Sequence, residues 1–172
     1  MSKSSFPDSV RAAESWAEVR ARDHVVRYRR SGLGRAVLVL IPPDHPDALW
    51  PELLDGLGGS FRLIVPEPPA AEPDAAAWLA TFLEGLGVSN VGILAAGCFC
   101  IPALESALAE ADQISRIVLV PAAAGSGQRA AGSGVLQTAI RDVGVPLLVV
   151  RRDQPAGDVV PIVTEFLRGD GT

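Results

Sequence analysis

Lysine, cysteine and histidine are scarce in this chain, and each scarcity narrows what it can be. Lys3 is the only lysine, and arginine supplies the rest of the 15 basic side chains, a bias of genomic composition rather than of chemistry. Against 20 acidic side chains they leave a net charge of −5 and a pI near 5.0, which argues against a nucleic-acid partner, since such proteins carry a basic face. Cys98 and Cys100 are the only cysteines and lie too close together for a structural disulfide. No second pair or nearby histidine completes four ligands, so neither a metal nor another cofactor is expected. Residues Met1–Ser9 lack the apolar core of a secretory signal, and no uninterrupted apolar run is long enough for a membrane span. A cytoplasmic, reduced protein with no membrane partner is the expectation.

What is present describes one domain. The 172 residues are 48% hydrophobic and 20% charged, enough for a substantial core. Residues 1–15 show no sustained period and are expected to form an N-terminal arm, with a single domain over 16–172. Ala17–Arg22 and Val25–Arg30 alternate polar and apolar side chains, as half-exposed antiparallel strands do. Ala36–Ile41 is apolar throughout, the pattern of a parallel strand covered on both faces.

From there strands and helices alternate. Trp50, Leu53, Leu54 and Leu57 form one helical stripe ended by Gly58-Gly59. Phe61–Val65 is a strand, and a helix opened by Pro73 turns Trp78, Leu79, Phe82, Leu83 and Leu86 inward before Gly87. Val91–Ala95 is the central strand, followed by a small-residue turn and a helix to Ala109. Ile117–Val120 is a strand, Pro121–Gly134 an Ala/Gly/Ser-rich loop with little to bury, and Val135, Ala139 and Ile140 mark a short helix. Val145–Val150 and Val159–Leu167 are the last strand and helix. Two leading strands and then repeated β-α units predict an α/β fold, a three-layer αβα sandwich around a mostly parallel sheet of about seven strands.

With these elements in place the chain resembles the α/β-hydrolase family over most of its length. Val25–Ile41 is similar to the family's opening strands, and Trp50 stands where a tryptophan often begins the next helix. Phe61-Arg62-Leu63-Ile64-Val65-Pro66-Glu67-Pro68-Pro69 resembles its F-R-V-I-x-P-D-x-P segment, and Val145–Val150 its V-P-x-L-x-x strand. The resemblance implies a nucleophile elbow, G-x-S-x-G, at the turn after Val91–Ala95. An ungapped alignment puts Gly97 at the serine position. A shift by one puts Cys98 there, between the small Ala96 and Cys100, similar to the G-x-C-x-G of dienelactone hydrolases. Strand length favours the first register and steric demand the second.

The other catalytic parts depart from the family. Its His-Gly oxyanion loop is replaced by Pro42-Pro43-Asp44-His45, in which only the amide of Asp44 can donate. No histidine follows His45, so the family's order of nucleophile, acid and histidine cannot be written. Neither the cap nor the eighth strand that the resemblance implies is expected in these 172 residues.

Two readings follow. The first is a non-catalytic binding or interaction protein, whose ligand crevice at the carboxyl ends of the strands would draw on Asp44, His45, Glu67, Gly97, Cys98, Arg151 and Arg152. A small molecule is the ligand class expected there, and the two arginines suit an anion. The alternative is a small thiol-dependent esterase or lactone hydrolase with Cys98 as nucleophile, His45 as improvised base and Asp153 in the acid loop. One cause explains the missing histidine, the prolines and the missing cap under the first reading. The apolar Leu147–Val150, with both faces expected to be covered and no eighth strand beside it, further predicts a homodimer through the last strand or helix.

Overall fold

The computed structural model describes residues 15–21, 23–42, 49–67, 74–122 and 140–169. The chain enters through an antiparallel pair, β1 (Ser15–Ala21) and β2 (His24–Ser31), in one unbroken register from Ser15↔Arg30 to Ala21↔His24. β3 (Ala36–Leu40) is followed by α1 (Leu49–Gly58), with Pro51 in its first turn, and by β4 (Arg62–Pro66). Next come α2 (Ala75–Leu86), β5 (Val91–Ala96), a 3₁₀ turn at Gly97–Phe99 and α3 (Cys100–Ala109). β6 (Ile114–Val120), β7 (Leu147–Val149) and α4 (Ala156–Arg168) complete the described elements, with residues 140–142 helical between the two strands.

The sheet runs β1-β2-β4-β3-β5-β6-β7, parallel from β4 to β7. After β3 the chain steps to one side to lay down β4, then crosses back over β3 to lay down β5. Right-handed crossovers in opposite directions put the connecting helices on opposite faces. Leu38, Ile93 and Ile117 therefore share one core with Phe82 of α2 and Leu104 of α3. Val37, Leu94 and Val118 share the other with Leu53 of α1 and Val163 of α4. This is why β3 is buried at every position and apolar throughout. The carboxyl ends of β3 and β5 form the point where the winding reverses, the usual crevice of open α/β sheets.

Local signals set the helix boundaries. Asp74 caps α2, its Oδ1 accepting from the amide of Ala77 at 2.9 Å, and Gly87 ends the helix in the left-handed region with φ 60°. Pro73 lies outside the described residues, and so does the sequence expected to form the loop from Ala123 to Gly134, with Val135 and Ala139. The N-terminal arm to Glu14 is outside them too.

The expectation for the last strand needs correction. Only Leu147–Val149 joins the ladder, and Val149 is 46% exposed while Leu147 and Leu148 are half-buried. Among the described residues β7 is the last strand of the sheet, so an apolar residue there is not sealed as its counterpart in β3 is. No helix among the described residues is long and apolar enough to cross a membrane.

Candidate functional site

β5 delivers the chain to the elbow. Ala96 is still extended at φ −121°, ψ 150°, and Gly97 then turns with φ +53° into the left-handed region. Phe99 and Cys100 are already helical, and the amide of Cys100 donates to the carbonyl of Gly97. The sharp strand-to-helix turn thus has its left-handed residue at Gly97. Side-chain-bearing residues adopt such a φ only under strain, and a nucleophile elbow carries that strain to expose its nucleophile. Glycine adopts the same conformation without the strain and presents no side chain.

The next residues diverge in environment although they are neighbours. The side chain of Cys98 is exposed, whereas Cys100 is buried with its thiol donating to the carbonyl of Ala95 at 3.5 Å. Burial, above all, pushes the Cys100 thiol up from 9.0 to about 12; a backbone hydrogen bond at Val120 lowers it and the charge of Cys98 raises it further. Phe99 is buried between them and leans on Trp78 of α2, ring centres 6.5 Å apart. In the native protein a thiol reagent is expected to modify Cys98 alone, with Cys100 at least about 10³-fold slower because it is both buried and protonated. Counting modified thiols in Cys98→Ser before and after denaturation checks this. Native labelling of that variant would contradict it.

Strand register places the other candidates. Ala95 pairs with Leu119 and Ala96 with Val120, while Leu119 pairs with Val149. Just beyond these pairs the chain leaves the three neighbouring strands, at Gly97 after β5, at Pro121 after β6 and at Arg151 two residues after β7. Pro121, Ala122, Val149, Val150, Arg151, Arg152 and Asp153 line an open crevice of about 360 Å³ there. Arg151 grips Asp153 with both ends of its guanidinium, Nε to Oδ1 at 3.1 Å and Nη2 to Oδ2 at 2.8 Å. Both side chains are largely exposed, so this pair contributes at most about 1 kcal/mol and leaves the carboxylate accessible.

Glu67 falls on the opposite flank. Its amide donates to the carbonyl of Arg27, continuing the ladder between β4 and β2, and its side chain is exposed. The strand-end candidates are therefore split: Arg151, Arg152 and Asp153 stand together on one side of the elbow, Glu67 on the other. Asp44 and His45 lie outside the described residues. Among the described residues no three His, Cys, Asp or Glu side chains are grouped to hold a metal ion. Sequence reading named the two arginines and Asp153 but missed Pro121, Ala122, Val149 and Val150. The only available signal for those was the parity of β6 and β7, which needs their register.

No protein-family model matches the chain, and no curated protein matches it. Solved structures do. A CIB-like hydrolase from Thermoplasma acidophilum superposes with a TM-score of 0.63 at 15% identity, over 91% of this chain and 99% of that one. A carboxylesterase from Bacillus subtilis reaches 0.52 at 16% identity, over 64% of this chain and 44% of its own. A haloalkane dehalogenase from Agrobacterium tumefaciens reaches 0.52 at 17% identity, over 63% and 41%. The chain thus spans less than half the length of the esterase and the dehalogenase, and nearly the whole of the Thermoplasma protein.

Proposed function

Taking the α/β-hydrolase fold of this chain as the premise, we propose that it is a non-catalytic protein of that fold which binds a ligand or partner instead of turning over an ester. One observation carries the reading: the left-handed residue of the elbow is Gly97, which has no side chain to attack a carbonyl. Two features support it. No histidine follows His45 among these 172 residues, and Pro42, just after β3, has no amide to donate. The surface left to a small ligand is the crevice beside Pro121 and Arg151, apolar at Val149 and cationic at its rim.

The exposed thiol of Cys98 is the one feature that favours the other reading, a thiol esterase. Short-chain activated esters and lactones discriminate the two. We expect no saturable hydrolysis by either the wild type or Cys98→Ser. Saturable turnover lost in Cys98→Ser would overturn the proposal in favour of the thiol enzyme. Turnover that survives the substitution would overturn it through a nucleophile elsewhere.

A further inference from the structure

The sheet has two ends, and they are not equivalent. β7 offers an outer edge of three residues, flanked by Pro146. β1 offers seven residues with no proline and an unbroken register against β2. No strand among the described residues pairs with its outer side. A long, straight edge of this kind is a template for another strand unless it is blocked.

The side chains along β1 select the occupant. Its inner face, with Val19, packs on α2, where a Cβ on Gly85 would stand 3.0 Å from Val19 Cγ2. Its outer face carries Trp16, Glu18 and Arg20, all exposed. Trp16 is 51% exposed, with the guanidinium of Arg27 4.9 Å from its ring centre. A two-fold axis perpendicular to the sheet preserves faces, so an antiparallel partner strand can be centred only on a residue. Centring on Val19 sets Glu18 opposite Arg20 of the second strand, twice by symmetry, and puts Trp16 diagonal to that Arg20. Moving the centre to Glu18 opposes two glutamates; moving it to Arg20 opposes two arginines. Opposite charges facing across strands stabilise, and like charges destabilise. Of these three registers only the one centred on Val19 opposes unlike charges.

We propose that β1 is the interface of a two-fold homodimer, in which the β1 strands of two copies pair antiparallel about Val19 and join the sheets. This keeps the homodimer anticipated from the sequence but moves it to the opposite edge. It is independent of whether the elbow is catalytic. The interface is small and charge-dependent, so its dissociation constant should lie in the micromolar range and rise with salt.

A charge exchange tests it with the full chain. Sedimentation at tens of micromolar in low salt should give a dimer. Glu18→Arg and Arg20→Glu should each raise the dissociation constant about tenfold or more, since each converts two attractive pairs into repulsive ones. Mixing these two single variants restores both opposite-charge pairs, and a heterodimer of near wild-type affinity should form. Misfolding cannot produce that recovery, and far-UV circular dichroism should be unchanged. A monomeric wild type would overturn the proposal, and slow β1 amide exchange in that monomer would assign the edge to the N-terminal arm. A dimer indifferent to both reversals, or a mixture that stays monomeric, would also overturn it. Loss of the dimer in Val149→Lys with β1 variants unaffected would place the interface at β7.

Discussion

Replacing Phe82 by alanine is expected to destabilise the protein by about 3–5 kcal/mol, the usual cost of removing a fully buried aromatic ring. Phe82 is 0% exposed and stands where α2 meets the sheet. Its ring lies parallel to Trp78, centres 5.7 Å apart at 5°, and edge-on to Tyr28 of β2 at 5.8 Å and 75°. Trp78 in turn touches Phe99 in the elbow turn. One ring therefore links the outer strands, α2 and the elbow, and its loss leaves a cavity among rigid neighbours that cannot close over it. Against a typical domain stability of about 5–15 kcal/mol the effect is large. Urea unfolding of Phe82→Ala and Phe82→Leu checks it. The leucine variant should retain more than half of the lost stability because it fills most of the space. A loss below about 1 kcal/mol for alanine would mean that the cluster repacks.

Alkaline pH should weaken the fold through a single thiol. The Cys100 thiol is raised from 9.0 to about 12 in the folded protein, chiefly by burial. Between these two values the unfolded chain has released the proton and the native chain has not. Stability therefore falls as pH rises, by about 1.4 kcal/mol per unit. The contribution is complete below pH 9 and lost by about pH 12, on the order of 4 kcal/mol over the whole window. Other groups titrate in this range, so the measurement is a difference. Unfolding free energies of the wild type and Cys100→Ala, taken at steps from pH 8 to pH 11, should converge above pH 9 and then cross. Parallel curves would show that the thiol ionises no differently in the folded protein.

Much of the fold was legible in the chain itself because burial leaves a local record. β3 reads as covered on both faces because every side chain in Ala36–Leu40 is apolar, and all five are buried. The stripe Trp50, Leu53, Leu54 and Leu57 has the helical period and is buried in α1. Gly87 marks the end of α2 because a left-handed residue is needed there. At the ends of elements the record fails. β6 begins at Ile114, three residues before its uniform apolar stretch: Ile114 and Arg116 pair with Val91 and Gly92 of β5, and the polar Ser115 between them is skipped at a register shift. Six apolar residues at Val145–Val150 look like a covered strand, yet only three join the ladder at the sheet's edge.

The missing histidine, the prolines after β3 and the small residues of the elbow are properties of the sequence, readable without any coordinates. Which residue occupies the elbow's left-handed position is not, because two registers one residue apart satisfy the same composition. The backbone decides it at Gly97, by bending where β5 leaves the sheet. The opposite fates of Cys98 and Cys100, separated by one residue, depend on where the helical phase begins after that bend. The separation of Glu67 from Arg151 depends on strand order, which no local period encodes. Periodicity records which face of an element is buried; only the assembled sheet determines what lies across from it, and how far away.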